Sequence, residues 1–97
     1  MKKIITPKDV VDAASEVTEK TIESIVDSNR LASNVAVRDL CFKICKDHLD
    51  MVDRDIAEFF KRDRSSITYA LKRVEINLDR LNQYQAVYEN IKERLGL

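Results

Sequence analysis

The sequence contains few of the residues that interrupt helices. Among its 97 residues there are one glycine, one proline, no tryptophan and one histidine. All-β domains need frequent glycine- and proline-containing turns, so this scarcity argues against them. Charged residues make up 35% and hydrophobic residues 44% of the chain, a composition typical of linked amphipathic helices. The length suits one compact core, and we therefore predict one all-α domain over residues 1–97.

Long hydrophobic runs are also missing. No stretch approaches the roughly 20 apolar residues that a membrane helix requires. The opening MKKIITPKDV has neither the apolar segment nor the cleavage site of a signal peptide. We therefore expect a cytoplasmic protein without membrane contacts.

Residues suited to catalysis or metal binding are scarce. Cys41, Cys45 and His48 share one helical face and offer three soft ligands, but a fourth zinc ligand is not evident. We therefore interpret the cysteines as core residues of a reducing compartment. No acid pair, catalytic triad or activated cysteine appears, so we predict neither an enzyme nor a cofactor or metal site.

The net charge is zero, because 17 basic residues balance 17 acidic ones. Neutrality argues against indiscriminate coating of nucleic acid. The charge is nevertheless polarised along the chain, since residues 1–29 carry four lysines and six acids, whereas residues 61–73 carry five cations and only Asp63. This local cluster indicates a surface for an anionic partner.

Capping residues and apolar spacing predict three helices in the first half of the chain. The segment TPKD combines an N-cap, a proline at the first helical position and a capping-box aspartate, which predicts a helix over about 7–18. A short second helix follows, and a polar loop leads to a third over about 35–48. The predicted N-caps are Thr6, Thr21, and Ser33 or Asn34.

Three further helices are predicted in the second half. Asp53 is placed to cap a short fourth helix. After the turn KRD, a long fifth helix carries apolar residues from Ile67 to Leu81 at spacings of three, four and seven. A sixth covers about 84–95 and stops at Gly96. Its apolar stripe can face its own core or a second copy, and we favour its own core and hence a monomer.

The fourth and fifth helices have the layout of a helix-turn-helix over about 53–82, whose second helix enters the major groove. Small hydroxyl side chains allow close approach to base edges, and Arg64 can address guanine or phosphate. Lys72 and Arg73 lie where phosphates would pass. The alternative is an ordinary helix start with a solvated polar face and Asp63 as its cap.

The segment DIAEFFKRDRSSITYALKRVE resembles the C-terminal DNA-binding domain of the bacterial replication initiator DnaA, a Trp-repressor-like helix-turn-helix domain. The stretches ITPKDVVDAASEVT, TIESIVD and VRDLCFKICKDH resemble its first three helices, so the likeness covers about residues 4–80. It implies sequence-preferring binding of double-stranded DNA in replication initiation or transcription control. The initiator's ATPase is not implied, because the only glycine is Gly96 and no phosphate-binding loop, hence no nucleotide site, can form.

The resemblance also implies roles for individual residues. It puts one group against bases or the groove wall, a second near phosphates, and a loop residue in the minor groove. Lys61 replaces the family's glycine in the turn, Arg64 and Tyr69 replace histidines, and Arg30 alone remains of the basic loop. We therefore expect a different target sequence and weaker binding. The residues implied at bases or the groove wall are Asp63, Arg64, Ser65, Ser66 and Tyr69. Those implied near phosphates are Arg38 and Arg62, and the residue implied in the minor groove is Arg30. Charge and position add Lys61, Lys72 and Arg73.

A hypothesis from another class is a helical protein-interaction module. Net neutrality and the depleted basic loop support it, since both weaken the attraction to phosphate. Such a module would keep the fold and bind a replication or regulatory protein instead of DNA.

Overall fold

The computed structural model describes residues 4–27 and 31–97, and within them every regular element is an α-helix. The prediction of an all-α fold of about six helices is confirmed. None of the described helices is long and apolar enough to cross a bilayer. In chain order the helices are α1 Pro7–Thr18, α2 Ile22–Val26, α3 Ala32–His48, α4 Asp53–Phe60, α5 Arg64–Arg80 and α6 Asn82–Leu95.

Side-chain caps fix the starts of the first two helices. The Thr6 hydroxyl accepts a hydrogen bond from the Asp9 amide at 3.2 Å, and the Asp9 carboxylate accepts one from the Thr6 amide at 2.9 Å. This reciprocal pair is a complete capping box. The Thr21 hydroxyl accepts from the Ser24 amide at 3.1 Å. Both predicted N-caps are therefore confirmed.

The start of α3 differs from the prediction. The helix begins at Ala32, and its N-cap is Leu31, which has no side-chain acceptor. The Leu31 carbonyl instead accepts from the Asn34 and Val35 amides. The Asn34 side chain belongs to the interior, with 7% of the residue exposed. The prediction that Ser33 or Asn34 caps this helix is wrong. Both residues already lie within the helix, and the Asn34 side chain is buried instead of capping the first turn.

Asp53 is the first residue of α4, and Val52 occupies the cap position. The predicted capping role of Asp53 is therefore wrong. Its carboxylate accepts instead from Lys46 Nζ at 2.7 Å and from Thr68 Oγ1 at 2.8 Å. These two bonds hold the pKa of the Asp53 carboxyl below its usual value. Asp53 thus ties the start of α4 to α3 and α5.

Helix α3 packs against α1, α2, α4 and α5 and supplies much of the core. Burial of one large aliphatic side chain contributes about 2 kcal/mol. Cys41 and Cys45 are free thiols inside this core, where burial raises the pKa of Cys45 to about 12. The core interpretation of the cysteines is confirmed. The predicted inward residues of α3 are all at most 7% exposed: Val37, Leu40, Cys41, Ile44 and Cys45.

Helix α6 packs against α1 and α5, with Tyr88 and Ile91 buried. Gly96 ends it at a φ of 78°, in the left-handed region that favours glycine, as predicted. Leu81 was predicted on the apolar face of α5 but lies between α5 and α6 and is 51% exposed. That prediction is wrong because the backbone becomes extended at Leu81 and takes its side chain off the face.

Candidate nucleic-acid interface

A three-residue turn, Lys61 to Asp63, joins α4 to α5. Lys61 adopts the left-handed conformation, with φ 56° and ψ 52°. Its amide donates to the Glu58 carbonyl at 3.3 Å, and the Arg62 amide donates to the Ala57 carbonyl at 2.8 Å. This Schellman pattern closes α4 and turns the chain sharply into α5. A left-handed residue other than glycine costs about 1 kcal/mol or more.

Helix α5 divides into a buried and an exposed side. Ile67, Ala70 and Val74 are at most 1% exposed and face the core. Since each residue turns the helix by about 100°, Ser65 and Tyr69 lie on the opposite side. Tyr69 is 73% exposed. This side faces solvent with residues able to bond in either direction.

The cations beside this exposed side have no intramolecular partners among the described residues. Lys61, Arg64 and Lys72 are exposed. Neither a hydrogen bond nor an ion pair within residues 4–27 and 31–97 holds their charged groups. Their charged groups can therefore bond an external anion, and the charge of Arg64 also acts at a distance on the Asp53 carboxylate.

Arg38 and Arg62 are instead bonded to the C-terminal end of α2. Arg38 is 6% exposed, and its Nε donates to the Ile25 carbonyl at 2.7 Å. Arg62 Nη2 donates to the Asp27 carbonyl at 2.7 Å and to the Val26 carbonyl at 3.2 Å. Burial lowers the pKa of both arginines. Two guanidinium groups thus satisfy carbonyls that a helix end leaves unpaired, and they tie α2 to α3 and to the turn.

Arg73 forms a bidentate ion pair with Asp39. Its Nε and Nη2 donate to the two carboxylate oxygens at 2.7 and 3.0 Å. The Asp39 side chain is 2% exposed, whereas that of Arg73 is 51% exposed. Burial raises the pKa of the Asp39 carboxyl, and the bonds from Arg73 oppose that rise. One edge of this guanidinium is therefore occupied inside the protein.

A concave groove between α3, α4 and the first half of α5 gathers most of the predicted residues. Arg64 lies outside it, in a hollow with Asp53 and Arg54. Lys72 lies beside Thr68, on the flank of α5 away from the groove. Arg30 lies outside the described residues. The groove brings together Arg38, Lys61, Arg62, Asp63, Ser65, Ser66, Tyr69 and Arg73.

Sequence reasoning missed Asp39, which lies at the floor of the groove. A signal was present, because Asp39 follows Arg38 and both lie between Val37 and Leu40, which are inward residues of α3. An acid between core positions requires a cationic partner when it is buried. The position therefore indicated an ion pair, although not its partner on α5.

Comparisons with known proteins give two partial similarities. The chromosomal replication initiator protein DnaA of Mycoplasma pneumoniae is 30% identical over 70 residues, covering 72% of this chain and 16% of that protein. The protein of the same name from Mycoplasma genitalium is 38% identical over 53 residues, covering 55% of this chain and 12% of that protein. The chain thus spans less than a fifth of these relatives. No family model matches it.

Proposed function

We propose that residues 1–97 form a DnaA-like domain that binds double-stranded DNA with sequence preference and has no enzymatic activity of its own. The observation that carries the proposal is the exposed side of α5, where polar side chains and unpaired cations follow a tight turn. The partial similarity to a replication initiator supports the same function. A role in replication initiation is therefore preferred over transcription control.

In this proposal the first two turns of α5 enter the major groove. Ser65, Ser66 and Tyr69 contact base edges or the groove wall, together with Asp63 just before the helix. Arg64 is suited to guanine O6 and N7 or to a phosphate, because its planar guanidinium bonds in pairs. The amides at the start of α5 add donors for a phosphate.

Three cations are proposed as the principal phosphate contacts, namely Lys61, Arg64 and Lys72. Arg38 and Arg62 contribute positive field but are proposed mainly to hold the turn against α2, because their donors already bond carbonyls. Arg30 remains proposed as a minor-groove contact. With about three neutralised phosphates, the logarithm of affinity should fall against log salt with a slope near −3.

The test is selection of binding sites from a random duplex pool, followed by titration of the enriched duplex at several salt concentrations. The double variant Arg64→Ala/Ser66→Ala removes two proposed contacts and should weaken binding by about tenfold or more, since one good base contact is worth about 1–3 kcal/mol. Arg94→Ala is the matched control, because Arg94 is a half-exposed arginine on α6 that pairs with Glu16. Absent binding at low salt, or binding unchanged by the double variant, would contradict the proposal.

A protein-interaction module is the second candidate. A largely apolar hollow between α1, α3 and α6, which includes Val17, Val37 and Val87, favours it. If the random pool yields no enriched motif while one protein partner binds at a fixed stoichiometry, this function replaces DNA binding.

A further inference from the structure

We propose that Asp39 is a specificity-determining residue that acts through Arg73, lowering the affinity of the groove for DNA phosphates irrespective of base sequence. This inference rests on the proposed DNA-binding function. It assigns a role to a buried carboxylate that stands outside the predicted contact set.

The geometry of the pair carries the inference. Arg73 Nε and Nη2 bond Asp39 at 2.7 and 3.0 Å, which leaves the two N–H groups of Nη1 and the second N–H of Nη2 for an external anion. The Arg73 side chain is half exposed in the groove, whereas Asp39 is almost fully enclosed beneath it. A phosphate at these remaining donors would therefore meet a cation whose counter-charge is already in place.

The charge balance of the groove indicates how strongly Asp39 should affect phosphate binding. Among the described lining residues, four are basic and three are carboxylates. Removing one carboxylate would double the net positive charge of this lining. A buried carboxylate is screened by salt less than an exposed one, so Asp39 should oppose phosphate binding more effectively than the surface acids do.

Specificity follows because phosphate and base contacts respond differently. Phosphate contacts contribute equally to every duplex, whereas base-edge contacts discriminate between sequences. Neutralising Arg73 weakens the shared contribution and leaves the hydroxyls of Ser65 and Ser66 unaffected. The ratio of specific to non-specific affinity should therefore be higher with Asp39 present than without it.

Protonation of Asp39 provides an independent test of its ion pair with Arg73. The groups that face Asp39 are Arg38 and Cys41 on its own helix, Arg73 on α5 and Tyr84 on α6. None of these four titrates in mildly acidic solution, and burial raises the pKa of Asp39 towards that range. Acidification should release Arg73 and increase affinity for a random duplex. An Asp39→Asn variant should lack this part of the pH response.

The experiment compares wild type, Asp39→Asn and Asp39→Asn/Arg73→Ala on random and selected duplexes. We expect Asp39→Asn to bind the random duplex about fivefold more tightly, with a salt slope steeper by about one, and to lose selectivity. The added Arg73→Ala should abolish that gain. Glu58→Gln is the control, because Glu58 lines the groove, is exposed and forms no ion pair with Arg73. It should change the random-duplex affinity less than Asp39→Asn.

Urea unfolding of each variant identifies the conditions under which all the compared variants are folded. If Asp39→Asn does not fold, the pH response of wild type is compared with that of Arg73→Gln, which should lose most of the acid-induced gain. An unchanged or weaker affinity of Asp39→Asn, or a gain that survives Arg73→Ala, would overturn the inference. If wild type binds and Arg64→Ala/Ser66→Ala weakens binding, such a result overturns this inference alone. If wild type binds no duplex, the proposed function fails with it.

Discussion

The two flanks of the α5 region use the same residue types differently. On the groove flank, Arg73 bonds a buried carboxylate, and Arg38 and Arg62 bond carbonyls at the end of α2. On the outer side, the charged groups of Arg64 and Lys72 form no hydrogen bond or ion pair within residues 4–27 and 31–97, and Arg64 interacts with Asp53 only at a distance. Cations that are equivalent by charge thus divide into one set that stabilises the fold and one that is available to a ligand. A cation belongs to the first set because a buried acceptor lies within bonding distance of it, and not because of its residue type.

The largest expected effect comes from the buried side of α5. Ile67→Ala should lower the free energy of unfolding by about 3 kcal/mol, because Ile67 is completely buried and truncation leaves a cavity. Tyr69→Ala, two residues away and 73% exposed, should change it by less than about 0.5 kcal/mol. Urea denaturation measures both. Equal costs would mean that Tyr69 also packs in the core.

The next effect separates the two sets of cations directly. Arg38→Ala should destabilise the fold by about 2 kcal/mol, because carbonyls at the end of α2 lose a charged, buried donor. Arg64→Ala should stay within about 0.5 kcal/mol of wild type, because its side chain is exposed. The same unfolding assay applies to both. A cost for Arg64→Ala that matches that of Arg38→Ala would remove the distinction between the two flanks.

The smallest expected effect is at Lys61, where the turn joins the flanks. Lys61→Gly should raise the free energy of unfolding by about 0.5–1 kcal/mol, because glycine adopts a positive φ without strain. Lys61→Ala keeps the strain and removes the same charge, so it should show no such gain. In a duplex titration both variants should lose affinity equally if Lys61 contacts phosphate. A gain in stability for the alanine variant would contradict strain at this position.

Local sequence predicted the features that depend on neighbouring residues. The Thr6 capping box and the Thr21 cap join residues three apart, and Gly96 supplies its left-handed stop by itself. The apolar spacing of α3 likewise predicted its buried face. Such features are accessible to sequence reasoning because their partners lie within one helical turn.

Two roles were missed because the partner is distant in the chain. Asp53 was expected to cap α4, yet its carboxylate bonds Thr68, fifteen positions further on. Asp39 was overlooked as a groove residue, since its partner Arg73 lies 34 residues away. No local pattern encodes such a choice, because several cations compete for each carboxylate until packing decides which one is near.

The sequence alone thus determined an all-α chain, the order of its helices and the concentration of cations around the turn and the start of α5. Only the tertiary structure decided which of those cations are engaged, by placing Asp39 beneath Arg73 and the end of α2 beside Arg62, whereas Arg64 has no hydrogen-bonded acceptor for its guanidinium among the described residues. The physical reason is that helix formation depends on contacts within a few residues, whereas neutralisation of a buried charge depends on which surfaces meet on folding.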